Sequence, residues 1–178
     1  MTNTDELLTN NSHFAAARQR DGHAGSGAQP ARRTAIVACM DARLDVYRTL
    51  GLSEGDAHVI RNAGGVVTED AIRSLAISQR LLKTEEIILI HHTDCGMLTF
   101  TDDAVKRQIQ DDTGIKPRFA LEAFPDLDED VRQSIARIRE SPFVPHKNIR
   151  GFVFDVGTGR LREVTESVDL RQRAGASA

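Results

Sequence analysis

The stretch that most constrains this chain is Glu86-Ile87-Ile88-Leu89-Ile90-His91, where three β-branched residues and a leucine follow one another without a polar interruption. A strand with one wet face alternates polar and apolar residues, whereas so short an unbroken run suits a parallel strand buried on both faces. Ala35-Ile36-Val37-Ala38-Cys39 repeats the pattern, and His58-Val59-Ile60 is a shorter version followed by the turn signal Asn62-Ala63-Gly64-Gly65. Helical patterns lie between and after these runs. Thr68 is placed to cap a helix over about 69–82, with Glu69 and Asp70 favourably set against the helix dipole and Ile72, Leu75, Ala76 and Leu82 as its apolar stripe. Helices near 101–111 and 127–140 follow. The second opens with Asp126 and Glu129 at capping-box spacing, turns Val131, Ile135 and Ile138 inward and stops before Pro142. Gly151-Phe152-Val153-Phe154-Asp155, the Gly157-Thr158-Gly159 turn and Leu161 to Val164 read as a strand and a hairpin return. Strands alternating with helices over short connections predict a single α/β domain over 34–165, with a mainly parallel central sheet flanked by helices.

The flanks read differently. Residues 20–33 are rich in Gly, Ala and Ser without apolar period, so 1–33 is expected to be an N-terminal arm and flexible linker, with a short helix at 4–18 carrying Leu7, Leu8, Phe14 and Ala15. That helix suits packing on a partner subunit. The polar tail, 166–178, is expected to be flexible. With 23 basic and 26 acidic residues the formal charge is −3, and the basic residues are scattered, which argues against a nucleic-acid partner. No run approaches the roughly 20 apolar residues of a membrane helix, and the polar, acidic start has no signal-peptide pattern. A cytoplasmic location follows as the expectation. Two cysteines are too few for a disulfide framework, although one Cys39–Cys95 bridge is conceivable, and in a reducing compartment such thiols more often mean metal or catalysis.

In open parallel sheets ligands bind beyond the carboxyl ends of the strands, at the point where successive connections leave to opposite faces. The first apolar strand ends in Cys39-Met40-Asp41-Ala42-Arg43 and the strongest in His91-His92-Thr93-Asp94-Cys95-Gly96. In a sheet ordered 2-1-3-4 these two ends would flank that crevice. Cys39, His92 and Cys95 would then make a Cys₂His set, a known catalytic zinc arrangement with a fourth position free for water. Two thiolates and a neutral imidazole cancel the charge of Zn²⁺, so something nearby must help to stabilise hydroxide. Asp41 and Arg43 are the candidates: Asp41 either closes the fourth position or pairs with Arg43 and leaves the metal to water.

Taken singly, each residue has a plainer reading. A buried cysteine at a strand end is usually a small hydrophobe, His92 alone suits a hydrogen-bonded core, Asp94 suits a turn cap, and Arg43 with Asp41 or Asp45 suits a surface ion pair. The odds shift because both cysteines fall at strand ends beside metal-competent neighbours. His13, His23, His58 and His146 lack such company and are taken as structural or exposed. His91 adjoins His92, but its side chain belongs to the other side of the strand.

Cys-Met-Asp-Ala-Arg at 39–43, Arg-Asn-Ala-Gly-Gly at 61–65 and His-x-x-Cys-Gly at 92–96 together resemble the motifs of the β-class carbonic anhydrases, in order and in approximate spacing, over roughly 34–156. Asp-Ala-Arg-Leu-Asp and His-His-Thr-Asp-Cys-Gly-Met-Leu make the chain similar to the short bacterial branch. The resemblance implies Cys39, His92 and Cys95 as ligands of one Zn²⁺ per subunit, Asp41 as a fourth, exchangeable ligand and Arg43 as its salt-bridge partner. It also implies a sheet ordered 2-1-3-4 extended by an antiparallel edge strand, and a homodimer or higher homo-oligomer with an exchanged N-terminal helix. The chain has no Trp and one Tyr, Tyr47, so family pockets that hold bicarbonate with those aromatics are not reproduced.

The implied activity is reversible hydration of carbon dioxide to bicarbonate and a proton through zinc-bound hydroxide, with Asp41 and Arg43 gating the fourth position and Val66, Met97 and Phe100 lining a small apolar pocket. Two alternatives use the same ligands. One is a hydrolase of carbonyl sulfide or carbon disulfide; the other is a non-catalytic zinc-binding protein that Asp41 keeps closed. A nucleotide binder is disfavoured, since neither a Gly-x-Gly-x-x-Gly fingerprint nor a Walker loop is present.

Overall fold

The structure, a computed structural model, describes residues 2–20 and 27–165. Residues 21–26 of the expected linker and the expected flexible tail, 166–178, lie outside the described residues. Five strands form one sheet in the order β2-β1-β3-β4-β5. They are β1 (Thr34–Cys39), β2 (Ala57–Asn62), β3 (Glu86–His92), β4 (Asn148–Phe154) and β5 (Leu161–Glu163). The first four are mutually parallel, and β5 returns antiparallel along β4. This is the order, with its antiparallel edge strand, that the family resemblance implies.

All six residues of β1 are buried, because β2 and β3 flank it and apolar clusters cover both faces. That double burial is why its sequence does not alternate. On one face Ala35, Val37, Ile87 and Leu89 pack with Ala71, Leu75, Val131, Ile135 and Ile138. On the other Ile36, Ala38 and Ile90 pack with Val46, Val66, Met97, Phe124 and Phe154.

Five α-helices, α1 (Asn3–Arg20), α2 (Val46–Leu50), α3 (Glu69–Arg80), α4 (Asp102–Thr113) and α5 (Leu127–Glu140), and two short 3-10 turns, Ala63–Gly65 and Gly96–Leu98, accompany the strands among the described residues. Thr68 Oγ1 caps α3 by accepting from the Ala71 amide at 3.3 Å. Asp126 Oδ1 accepts from the Glu129 amide at 2.8 Å, while the Glu129 carboxylate meets Arg132, so only the forward bond of the expected capping box is seen. The short α2 has no counterpart among the sequence expectations. It starts at Asp45, whose carboxylate accepts from the Arg48 amide, and ends at Gly51. Ahead of β1, Ala31 and Arg32 donate to the carbonyls of Gly55 and Asp56, which fixes the entry into the sheet.

Candidate metal centre

β1 and β3 are adjacent and in register, Ala38 opposite Ile90, so both strands release their chains at the same edge of the sheet. Cys39 is the last residue of β1, His92 the last of β3, and Cys95 follows after a turn of two residues. Thr93 ties that turn to the end of β4: its amide donates to the Phe154 carbonyl at 2.9 Å, and its hydroxyl accepts from the Val156 amide at 3.1 Å. One potential ligand atom from each of Cys39, His92 and Cys95 lies within 4.8 Å of the others, and all three residues are buried. Both cysteines are free thiols rather than the conceivable bridge.

The donor set fits zinc on chemistry as well as proximity. His92 Nδ1 donates to the Thr93 carbonyl at 2.8 Å, which fixes the ring and leaves Nε2 facing the cluster, 3.2 Å from Cys39 Sγ. The hydrogen bond between the two cysteines draws the Cys39 thiol down in pKa and, with burial, pushes that of Cys95 up. Its contact with Cys39 raises the pKa of His92. A buried cluster that already favours a thiolate is chemically prepared for a soft divalent cation.

Asp41 stands at the open side. Its Oδ2 lies 3.7 Å from His92 Nε2, beyond hydrogen-bond range, while Arg43 takes both carboxylate oxygens, Nε to Oδ1 at 2.9 Å and a terminal nitrogen to Oδ2 at 2.8 Å. The Arg43 amide adds a third bond to the carboxylate, also at Oδ1. The Arg43 side chain first, and its amide second, hold the Asp41 carboxyl well below the usual carboxylate range. The predicted set of Cys39, Asp41, Arg43, His92 and Cys95 is therefore brought together.

Other residues contribute that the sequence reading passed over. By sequence alone Asp94 suits a turn cap, yet it binds Arg43 through both its carboxylate and its carbonyl. Arg61 reaches from β2 to the carbonyls of Cys39, at 2.8 and 3.0 Å, and Asp41, at 2.7 Å, which holds the loop after β1 in place. Its motif is visible in the sequence, but an arginine in a strand does not announce which carbonyls it will reach. His91 turns away from the centre as expected and meets Asp130 on α5. Of the residues named for a gas pocket, Val66 and Met97 share the buried cluster with both cysteines, and Phe100 packs against it.

Residues 34–119 match the family model for carbonic anhydrase. Over 93% of its length the chain is 64% identical to beta-carbonic anhydrase 1 of Mycobacterium tuberculosis, covering 99% of that protein. It belongs to the β-carbonic anhydrase family. Among solved structures, the carbonic anhydrase of Streptococcus mutans superposes with a TM-score of 0.85 at 44% identity, covering 93% of this chain and 99% of that one. A carbon disulfide hydrolase of Acidithiobacillus thiooxidans is 36% identical over 82% of this chain and 85% of its own. As a β-carbonic anhydrase relative, the chain carries its metal-competent cluster where the sheet's topology places it, at the carboxyl ends of two central strands.

Proposed function

We propose that this protein is a zinc-dependent carbonic anhydrase that interconverts carbon dioxide with bicarbonate and a proton. Cys39, His92 and Cys95 would hold one zinc per subunit, with Asp41 as an exchangeable fourth ligand. The buried Cys₂His cluster, in a chain 64% identical to a β-carbonic anhydrase, carries the reading. When bound, zinc supplies the Lewis acidity that brings a water's pKa toward neutrality. His92 presents Nε2 because the Thr93 carbonyl fixes its other nitrogen. Arg43 draws Asp41 aside and keeps it ionised, so Asp41 can only accept, and it orients an O–H beside the centre. Val66, Met97 and Phe124 give the neighbouring wall an apolar surface suited to an uncharged linear gas.

Stopped-flow carbon dioxide hydration, with zinc quantified on the same sample, tests this directly. Arg43→Ala should retain zinc and lose most turnover near neutral pH, because Asp41 is then free to take the fourth position; a parental rate would overturn the gating role. The carbon disulfide hydrolase relative keeps a second reading in view, hydrolysis of carbon disulfide or carbonyl sulfide on the same ligands. Turnover of all three substrates by one preparation separates the two. Permanent closure by Asp41 is opposed by the two-pronged grip of Arg43 on that carboxylate.

The assembly proposed is a homodimer or higher homo-oligomer. No residue of the 18-residue α1 is buried, and Leu7, Leu8 and Phe14 are more than half exposed. A helix without tertiary cover is marginal in water, which supports α1 as an arm resting on a second copy. A cytoplasmic location is proposed with it, since two free thiols serve as ligands only where they stay reduced. None of the described helices is long and apolar enough to cross a membrane.

A further inference from the structure

The Arg43 guanidinium is held from two sides. One edge grips Asp41; from the other, a terminal nitrogen donates to Asp94 Oδ2 at 2.7 Å, and a nitrogen of the Asp41 edge also donates to the Asp94 carbonyl at 3.0 Å. Asp94 sits in the turn between His92 and Cys95, at φ +55°, a left-handed conformation that Asp tolerates better than most residues. That conformation, within a turn tied to β4 through Thr93, lets side chain and carbonyl of one residue face the same guanidinium. We infer that Asp94 is a positioning residue: it orients Arg43 so that Arg43, rather than the metal, takes the Asp41 carboxylate.

This deepens the gating reading of Asp41 and Arg43 and rests on it. Arg43 is 48% exposed and Asp94 78%, so the pair is worth little as a stabilising ion pair. Its consequence lies in orientation. Arginine carries several freely rotating bonds, and anchoring the outer edge of its planar fork reduces the freedom lost when the inner edge closes on Asp41. Where a carboxylate has two competing partners, even a weak bias of this kind shifts their populations several-fold.

The test uses the full-length protein loaded with cobalt in place of zinc, because cobalt's visible spectrum responds to the identity and geometry of its ligands, water exchanged for a carboxylate included, without any turnover. Asp94→Ala should move the neutral-pH spectrum toward that of Arg43→Ala, retain parental metal content and lower kcat by about threefold to fivefold, the ratio equivalent to an exposed pair worth up to ~1 kcal/mol. Asp94→Asn keeps the acceptor and tolerates the left-handed backbone, and it should restore the parental spectrum. Asp94→Gly relieves the backbone while removing the carboxylate, and it should behave as Asp94→Ala does. Parental spectra for Asp94→Ala and Asp94→Gly beside an altered Arg43→Ala overturn the role of Asp94 and leave the gate standing. A parental spectrum and rate for Arg43→Ala overturn both.

Discussion

His91 and His92 are consecutive in β3, yet His92 Nε2 lies 3.2 Å from Cys39 Sγ, while His91 Nε2 lies 2.6 Å from Asp130 Oδ2 on α5. The strand's twofold periodicity assigns one imidazole to the metal centre and the other to the helical layer. His91 is fully buried and its Nδ1 has no partner among the described residues, so Asp130→Ala leaves a buried ring without a hydrogen bond. The expected cost is about 1–3 kcal/mol of stability. Zinc per subunit should stay at the parental value. Urea denaturation and elemental analysis of one preparation check both halves; zinc loss without destabilisation would contradict the division of labour.

Gly65 fixes how closely the loop after β2 approaches the two strands that carry the site. Its φ is +75°, and a Cβ there would lie 2.8 Å from the Cys39 amide nitrogen and 3.0 Å from the Ile90 carbonyl oxygen. These neighbours are backbone atoms of central strands and cannot rotate away. Gly65→Ala should cost at least about 3 kcal/mol, from left-handed backbone strain of ~1–2 kcal/mol and the clash added to it. Zinc binding should weaken with it, because Cys39 is the displaced residue. A parental denaturation midpoint would show that the loop has room to move.

The strands were legible because burial on both faces and parallel pairing leave a mark on residue type, as in Ile87 to Ile90. Cys39, His92 and Cys95 were legible because thiols and imidazoles at strand ends are few. Asp94, Arg61 and Asp130 were not. Each acts through a partner distant in sequence, Arg43 for Asp94 and His91 for Asp130, and an exposed aspartate that orients an arginine looks locally like any turn aspartate. The short α2 escaped for another reason: five residues carry too little periodicity to register, and only Asp45 and Gly51 at its ends mark it.

Loss of one thiolate should separate metal binding from folding. Cys39→Ser replaces a soft, readily ionised ligand with a hydroxyl that stays protonated, and zinc occupancy after dialysis should fall at least about tenfold. Zinc held by the folded chain also adds to apparent stability, so a chelator should lower the melting temperature of the parent protein. The same chelator should leave that of Cys39→Ser unchanged. Equal chelator sensitivity of the two proteins would place the metal elsewhere.

The acid limit of stability should depend on Asp102. Its carboxylate accepts from the amides of Leu121 and Ala123, at 2.7 and 3.0 Å, and so pins the segment that leads into Phe124 in the cluster around the metal centre. Those amide bonds, that of Ala123 foremost, lower its pKa from the ordinary 3.8. A carboxyl depressed in the folded state binds protons more readily when unfolded. Its contribution is therefore complete above about pH 4 and is lost as the pH falls through the lower, folded value. Asp102→Asn keeps one acceptor and loses the charge, so it should be about 1 kcal/mol less stable than the parent at pH 7. The gap should close as both proteins are taken below pH 4. Urea midpoints measured at pH 7, 5, 4 and 3 follow that convergence; a difference that stays constant across the series would mean that the ionised form of Asp102 carries none of the stabilisation.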